Sequence, residues 1–362
     1  MQQLRGKNLK RVLCLLLAFV MVLTLFPAAA LGVAEEGADV AATPVAAEEG
    51  PIGIEPLSVH RPAGVPDVAP AAYHVVTTEA QLRTALGAAQ NPRVIRLDND
   101  ITLATAAALP LTGSGHVVHI YSNSPESFSI NRGTSTSRHF SLAFGDNAAG
   151  TRTFHIWNVA LTRNPGMTTD GGGIFLNAAR VHIHMHAGSE ISNNRAAGRG
   201  GGINIDAGTV TLNAGALIDN NQSNHASASG SSSGGGGGVS INSGSPASTL
   251  NVNGATISNN IALRGHGGGI QVAAGTSGAR AVLNINSIYL LNNEARLNAA
   301  GTAGGNGGGI HSNGHSTITI AGVSTIEGNR ANNGGAMRIF SASYPPVSAK
   351  SLKSTPAGGS AP

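Results

Sequence analysis

Three short signals recur in fixed order through the middle of this chain, and their spacing constrains the fold more than any other feature. The first is a glycine triplet followed by an alternating apolar pair. It appears as Gly171-Gly172-Gly173-Ile174-Phe175-Leu176, Gly200-Gly201-Gly202-Ile203-Asn204-Ile205, Gly236-Gly237-Gly238-Val239-Ser240-Ile241 and Gly267-Gly268-Gly269-Ile270-Gln271-Val272. Weaker copies begin at Gly307 and Gly334. The second is another alternating pair: Val181 with Ile183, Val210 with Leu212, Leu250 with Val252, Leu283 with Ile285, and Ile318 with Ile320. The third is an aliphatic residue three positions before an asparagine: Leu161 and Asn164, Ile191 and Asn194, Ile218 and Asn221, Ile257 and Asn260, Leu290 and Asn293, Ile326 and Asn329.

Alternation with period two places every second side chain on one face of a strand. Three short strands with one apolar face each are not stable alone, but stacked repeats bury those faces in a continuous column. Glycine at the start of each repeat permits positive φ and close approach of neighbouring backbones. Asparagine at the turn tolerates the left-handed conformation, and stacked amides hydrogen-bond from repeat to repeat. The turn asparagines lie 30, 27, 39, 33 and 36 residues apart. Helical solenoids of similar period need uninterrupted runs at 3.6 spacing, and glycine and asparagine break every run here. The expected fold is therefore all-β: a right-handed single-stranded parallel β-helix with three strands per coil and about eight coils. The length variation falls between the asparagine and the next glycine triplet, so loops such as 222–233 and 294–306 leave from one corner.

The flanks divide the chain into four parts. Residues 1–34 read as a signal peptide, with Arg5, Lys7, Lys10 and Arg11 ahead of the apolar run Val12 to Phe26 and a small-residue cleavage site at Gly32 and Ala34. Residues 35–72, rich in Ala, Pro and Glu, read as a disordered linker. The β-helix domain is expected over 73–340, with Thr78 to Ala89 as a short capping helix. Residues 341–362 read as a flexible Ser/Pro/Lys/Gly tail. No polar capping coil follows Ile339, which favours a fragment of a longer protein. With the four basic residues of the signal removed from 22 basic against 18 acidic, the balance is 18 to 18. That balance argues against nucleic-acid binding. The single cysteine, Cys14, lies in the signal, so neither disulfides nor thiol chemistry is expected in the mature chain.

The Gly-Gly-Gly-Ile and Ile-x-x-Asn tandem resembles the Gly-Gly-Ala-Ile and Phe-x-x-Asn repeats of chlamydial polymorphic outer-membrane proteins. It is also similar to the right-handed β-helix regions of bacterial surface proteins and the pectate-lyase-like superfamily. The resemblance spans about 94–340 and implies an extracellular, secreted or cell-surface bacterial protein. The aliphatic residues replacing Phe and the lack of a C-terminal membrane barrel mean that the outer-membrane role does not carry over.

Chemistry is sparse. Glycoside hydrolysis needs two carboxylates at a set separation. The repeats hold only Asp170, Glu190, Asp206, Asp219, Glu294 and Glu327 as acids. Glu190, Asp219 and Glu327 share a place shortly before a turn asparagine and are the catalytic candidates. Arg195, Arg264, Arg296 and Arg330 follow the turn asparagines, and an arginine column along one edge would bind an acidic polysaccharide. His182, His184 and His186 point outward from one strand, with His155 and Trp157 one coil below. Two histidines at i and i+2 make His182 and His184 the metal candidates, but a catalytic zinc wants a third ligand from another element. Above them Thr211, Asn213, Asn251, Asn253, Asn284, Asn286, Thr317 and Thr319 form a polar ladder suited, with Trp157, to docking sugars. The expectation is a non-catalytic surface protein for adhesion or polysaccharide binding, with no cofactor, no nucleic-acid partner and no membrane span in the mature chain. The alternative is a polysaccharide lyase or glycoside hydrolase acting on an acidic polysaccharide. Calcium enters only under that alternative.

Overall fold

The period-two segments form the strands of one long parallel sheet that curls round an axis, as a parallel β-helix solenoid would. In the computed structural model the described residues are 60–67, 73–111, 116–133, 136–143, 150–162, 170–224, 234–243, 247–273, 280–297, 305–314, 316–339 and 352–354. Residues 1–34, read as a signal peptide, lie outside them, as do Asn164 and most of the expected linker, corner loops and tail. No helix among the described residues is long and apolar enough to cross a membrane.

Each strand pairs with its counterpart one repeat on. Ile203 lies between Ile174 and Val239, followed by Ile270, Ile310 and Met337. Ile191 lies between Leu161 and Ile218, followed by Ile257, Leu290 and Ile326. These two columns match the sequence alignment. The middle column differs. Val210 and Leu212 pair with Ile183 and Met185, one step later than the sequence pairing with Val181 and Ile183. A slip of two residues keeps every side chain on its face, so the sequence pattern alone does not fix this register.

Two of the expected strands run together in arcs such as Ile174–Met185 and Ser248–Ser258. A further two-residue strand follows each turn asparagine, at Arg195–Ala196, Gln222–Ser223, Ile261–Ala262, Glu294–Ala295 and Arg330–Ala331, and these five form a second parallel sheet. Their small inward residues carry too little apolar signal to stand out in the sequence.

The two corner signals divide their tasks. At Gly200-Gly201-Gly202 only Gly200 is left-handed, with φ 61°. A Cβ on Gly201 would lie 2.3 Å from the carbonyl oxygen of Gly237, so this position needs glycine for close approach. At the asparagine corner the left-handed residues are Asn193, Asn220, Asn259, Asn292 and Gly328, each one position before the asparagine of the sequence motif. The motif asparagines point inward and form an amide ladder. Asn260 Nδ2 donates to Asn293 Oδ1 at 2.9 Å and to the Ile218 carbonyl at 3.0 Å. Its Oδ1 accepts from Asn221 Nδ2 at 3.0 Å and from the Asn221 backbone N–H at 2.9 Å. Asn194, Asn221, Asn293 and Asn329 extend the same arrangement and are all buried.

Helix Glu79–Gly87 starts at Thr78, whose hydroxyl accepts from the Gln81 N–H. Leu82, Ala85 and Leu86 are buried in the same apolar cluster as Ile95, Leu97 and Ile101, closing that end of the core. Glu79 ties the helix to the next strand segment by accepting from the Ala104 N–H at 2.7 Å and from Arg83 Nε at 2.8 Å. At the other end, Leu352–Ser354 pairs with Ser324–Ile326.

Candidate functional site

The arcs through Val181–Met185 and their neighbours present three adjoining outward registers. One runs His119, His155, His184, Thr211, Asn251, Asn284 and Thr319. A second runs Val117, Thr153, His182, Thr209, Thr249, Val282 and Thr317. A third runs Arg96, Tyr121 and Trp157, then pairs Asn213 with Asn253, and His186 lies between these two groups. Apart from Arg96, which pairs with Asp98 at 2.6 Å, none of these residues is an acid, a lysine or an arginine. Asn284 Nδ2 donates to Asn251 Oδ1 at 3.0 Å, and Asn251 Nδ2 donates to Thr211 Oγ1 at 3.3 Å. The parallel register therefore repeats polar groups at the strand spacing, ~4.8 Å.

Below the amides the column is aromatic. His119 and His155 stack at 4.4 Å between ring centroids, and His155 and His184 at 4.9 Å. Trp157 stacks on His186 at 3.5 Å, with the rings 2° from parallel. His155 Nδ1 and His186 Nε2 share a hydrogen bond at 2.9 Å. Burial holds the His119 and His186 imidazoles down to about 4, with neighbouring imidazoles adding to the shift at His186. Burial, reinforced by His119, His184 and His186, lowers His155 to about 3. All three are neutral at pH 7. His182 and His184 occupy separate registers, and His184 stacks face to face on His155. Among the described residues no group of three or more His, Cys, Asp or Glu is arranged to hold a metal ion.

Trp157 is half-buried between His186 and residues 60–67, read in the sequence as part of the linker. Val65 packs against Val94 and Tyr121, with Trp157 at the edge of the cluster. The His60 N–H donates to Asn123 Oδ1 at 2.9 Å.

A second outward register, after the glycine triplets, is covered. Asn204, Ser240, Gln271 and His311 follow one another there and are all buried. His311 stacks on His266 at 4.4 Å and bonds Gln271 Oε1 through Nδ1 at 3.1 Å. Phe175, in the same register, carries the Arg138 guanidinium 4.5 Å above its ring. Burial lowers the Arg138 pKa, and Asp170 and Asp206 oppose that shift.

The arginines do not form a column. Arg195 and Arg330 share one register but have Gln222, Ile261 and Glu294 between them. Arg296 sits two residues beyond Glu294 and forms an ion pair with it at 2.7 Å. Arg264 lies further along, past Leu263, whose N–H bonds the Ser223 carbonyl. The acids divide similarly. Asp219 and Glu327 share a register three strands apart, about 14 Å. Glu190 pairs with Leu217, which places it on the strand next to Asp219 and two residues back on the same face. Asp219 Oδ1 accepts instead from Ser258 Oγ at 2.6 Å and Asn259 Nδ2 at 2.7 Å, on the following repeat.

The His184 and Thr211 to Thr319 ladder was visible in the sequence. His119 and Tyr121 were missed because their repeat lacks both corner signals. The cover over Trp157 left only one trace, Val65 in a proline-rich stretch. No protein-family model, curated protein or solved structure matches this chain.

Proposed function

We propose that this chain is a non-catalytic exported protein whose polar sheet face binds a polysaccharide at the cell surface or outside the cell. In this reading the sheet is a right-handed parallel β-helix of the pectate-lyase-like type, and the N-terminal sequence supports export. The observation that carries the proposal is the run of hydroxyl, amide and imidazole groups on three adjoining registers, pre-ordered by their own hydrogen bonds. Such a surface suits repeating hydroxyl groups better than charged ones, because binding strands no buried charge. The dispersed arginines turn the expected ligand from an acidic to a neutral polysaccharide.

A panel of neutral and acidic polysaccharides tests this. Neutral chains are expected to bind with little dependence on salt, since no ion pairs are screened. Asn251→Ala is expected to weaken binding about tenfold, the equivalent of one hydrogen bond. Binding restricted to acidic chains and abolished by salt would overturn the reading.

The enzyme reading keeps one supporting observation, the neighbouring placement of Glu190 and Asp219. It predicts depolymerisation that is lost in Glu190→Gln and Asp219→Asn. The non-catalytic reading predicts intact polymer with the unaltered protein.

A further inference from the structure

Among the described residues, the segment over Trp157 is anchored through Val65 and His60. Val65 is its buried apolar anchor, and the His60 N–H to Asn123 bond is its hydrogen bond to the sheet. Its ion pair, Arg61 to Asp67, is internal to the segment and exposed, so it stabilises the segment's own turn rather than its docking. Gly64 lies against the rim of the six-membered ring of Trp157. It has φ 101°, and a Cβ there would come within 2.6 Å of the indole. Only a glycine backbone approaches the ring this closely.

The place it occupies has the chemistry of a sugar subsite. The indole edge, with His186 stacked on its face and the buried Tyr121 beneath, gives an apolar shelf, and Asn213 and Asn253 continue it with amides along the same register. Aromatic side chains with a polar neighbour suit ligands that are apolar on one side and hydroxylated on the other. A pyranose ring is such a ligand, and its length is comparable to the spacing between strands.

We propose that Trp157, with His186 and Asn213, forms a neutral-sugar subsite at one end of the polar track, and that residues 60–67 are its built-in occupant. This rests on the polysaccharide-binding reading above. A glycan chain lying along the track reaches the subsite when the segment lifts away. Segment and sugar then compete for one shelf, so freeing the shelf raises affinity without adding a contact.

Trp157 is the only tryptophan in the chain, so its fluorescence reports the shelf directly. The test uses the full chain with Val65→Asp, which removes the apolar anchor, and Gly64→Ala, which puts a methyl group against the indole and leaves Val65 in place. Circular dichroism checks that both remain folded. Both variants are expected to show stronger acrylamide quenching of Trp157. They are also expected to bind a neutral polysaccharide about tenfold more tightly, as when a binding-competent state rises from about a tenth to full population. Adding Trp157→Ala to Val65→Asp is expected to return affinity to the unaltered level or below. Stronger quenching with unchanged affinity overturns the subsite and leaves the polysaccharide-binding reading standing. Unchanged quenching in both folded variants overturns the role of the segment. Failure of the unaltered protein and both variants to bind any polysaccharide overturns both readings.

Discussion

At the corner after Ile191, Ile218, Ile257 and Leu290, two adjacent asparagines do different work with the same side chain. The first takes positive φ, which costs most residues about 1 kcal/mol and asparagine less. The second turns inward and satisfies two backbone groups of the preceding repeat at once. This division predicts opposite tolerances. Asn259→Gly is expected to cost less than about 1 kcal/mol, because glycine adopts φ 55° without strain and only the exposed bond to Asp219 is lost. Asn260→Ala is expected to cost about 3 kcal/mol or more, since it leaves the buried Asn221 N–H and the Ile218 carbonyl without their partners. Urea unfolding of the two variants measures the contrast, and equal losses would refute it. In the sequence the pair reads as a single turn signal. Composition marks the corner, but only backbone geometry shows which amide faces the core. The last copy supports the division, because Gly328 replaces the left-handed asparagine while the inward Asn329 is kept.

A single strand gains little from an outward-facing histidine, but a register of them buried against one another creates a pH limit. His119, His155 and His186 titrate at about 4, 3 and 4 because the folded sheet withholds water from their charged forms. In the unfolded chain they titrate near their ordinary ~6.5. Above that pH both states are neutral and the histidines are silent. As pH falls from about 6.5 towards 3, the unfolded chain takes up protons that the folded chain refuses, and stability is lost. The melting temperature is therefore expected to drop steeply between pH 6 and 4, above the range where most carboxylates titrate. His155→Asn, which keeps a polar group in the register, is expected to flatten that drop while changing the melting temperature little at pH 7.5. An unchanged slope would show that the column does not set the acid limit. The outward alternation of this face was legible in the sequence because period two survives a two-residue slip. The stacking was not, because it depends on which repeat of the irregular region 94–157 faces which. The four-arginine column failed for a related reason. The arginines follow their asparagines by one, four, three and one residues, so only Arg195 and Arg330 fall in one register.

Along the whole sheet, each repeat touches only the repeats before and after it, so stability is expected to vary along the axis rather than be held in common. The helix Glu79–Gly87 covers one end of the aliphatic column, and the sequence signalled it through Thr78, Glu79 and the apolar Leu82 and Leu86. The sequence did not signal how the helix is fastened. Burial works against the charged form of Glu79, but hydrogen bonds from Arg83, Thr105 and Ala104 outweigh it and hold its pKa down to about 2. Its contribution is present in full above about 4.5, the ordinary carboxylate value, and is lost as pH falls towards 2. Glu79→Gln keeps the shape but loses the charge-assisted bonds, at a cost of about 2 kcal/mol at neutral pH. In a chain of nearest-neighbour repeats that cost is local. Hydrogen exchange in the variant is expected to quicken in the helix and in strands Tyr73–Val76 and Arg93–Leu97, and to stay unchanged in Ile203–Asn213 and Ala281–Leu291. Uniform acceleration through all four strands would mean that the sheet opens as one cooperative unit. In that case the end cap would limit the stability of every repeat, including those that carry the polar face.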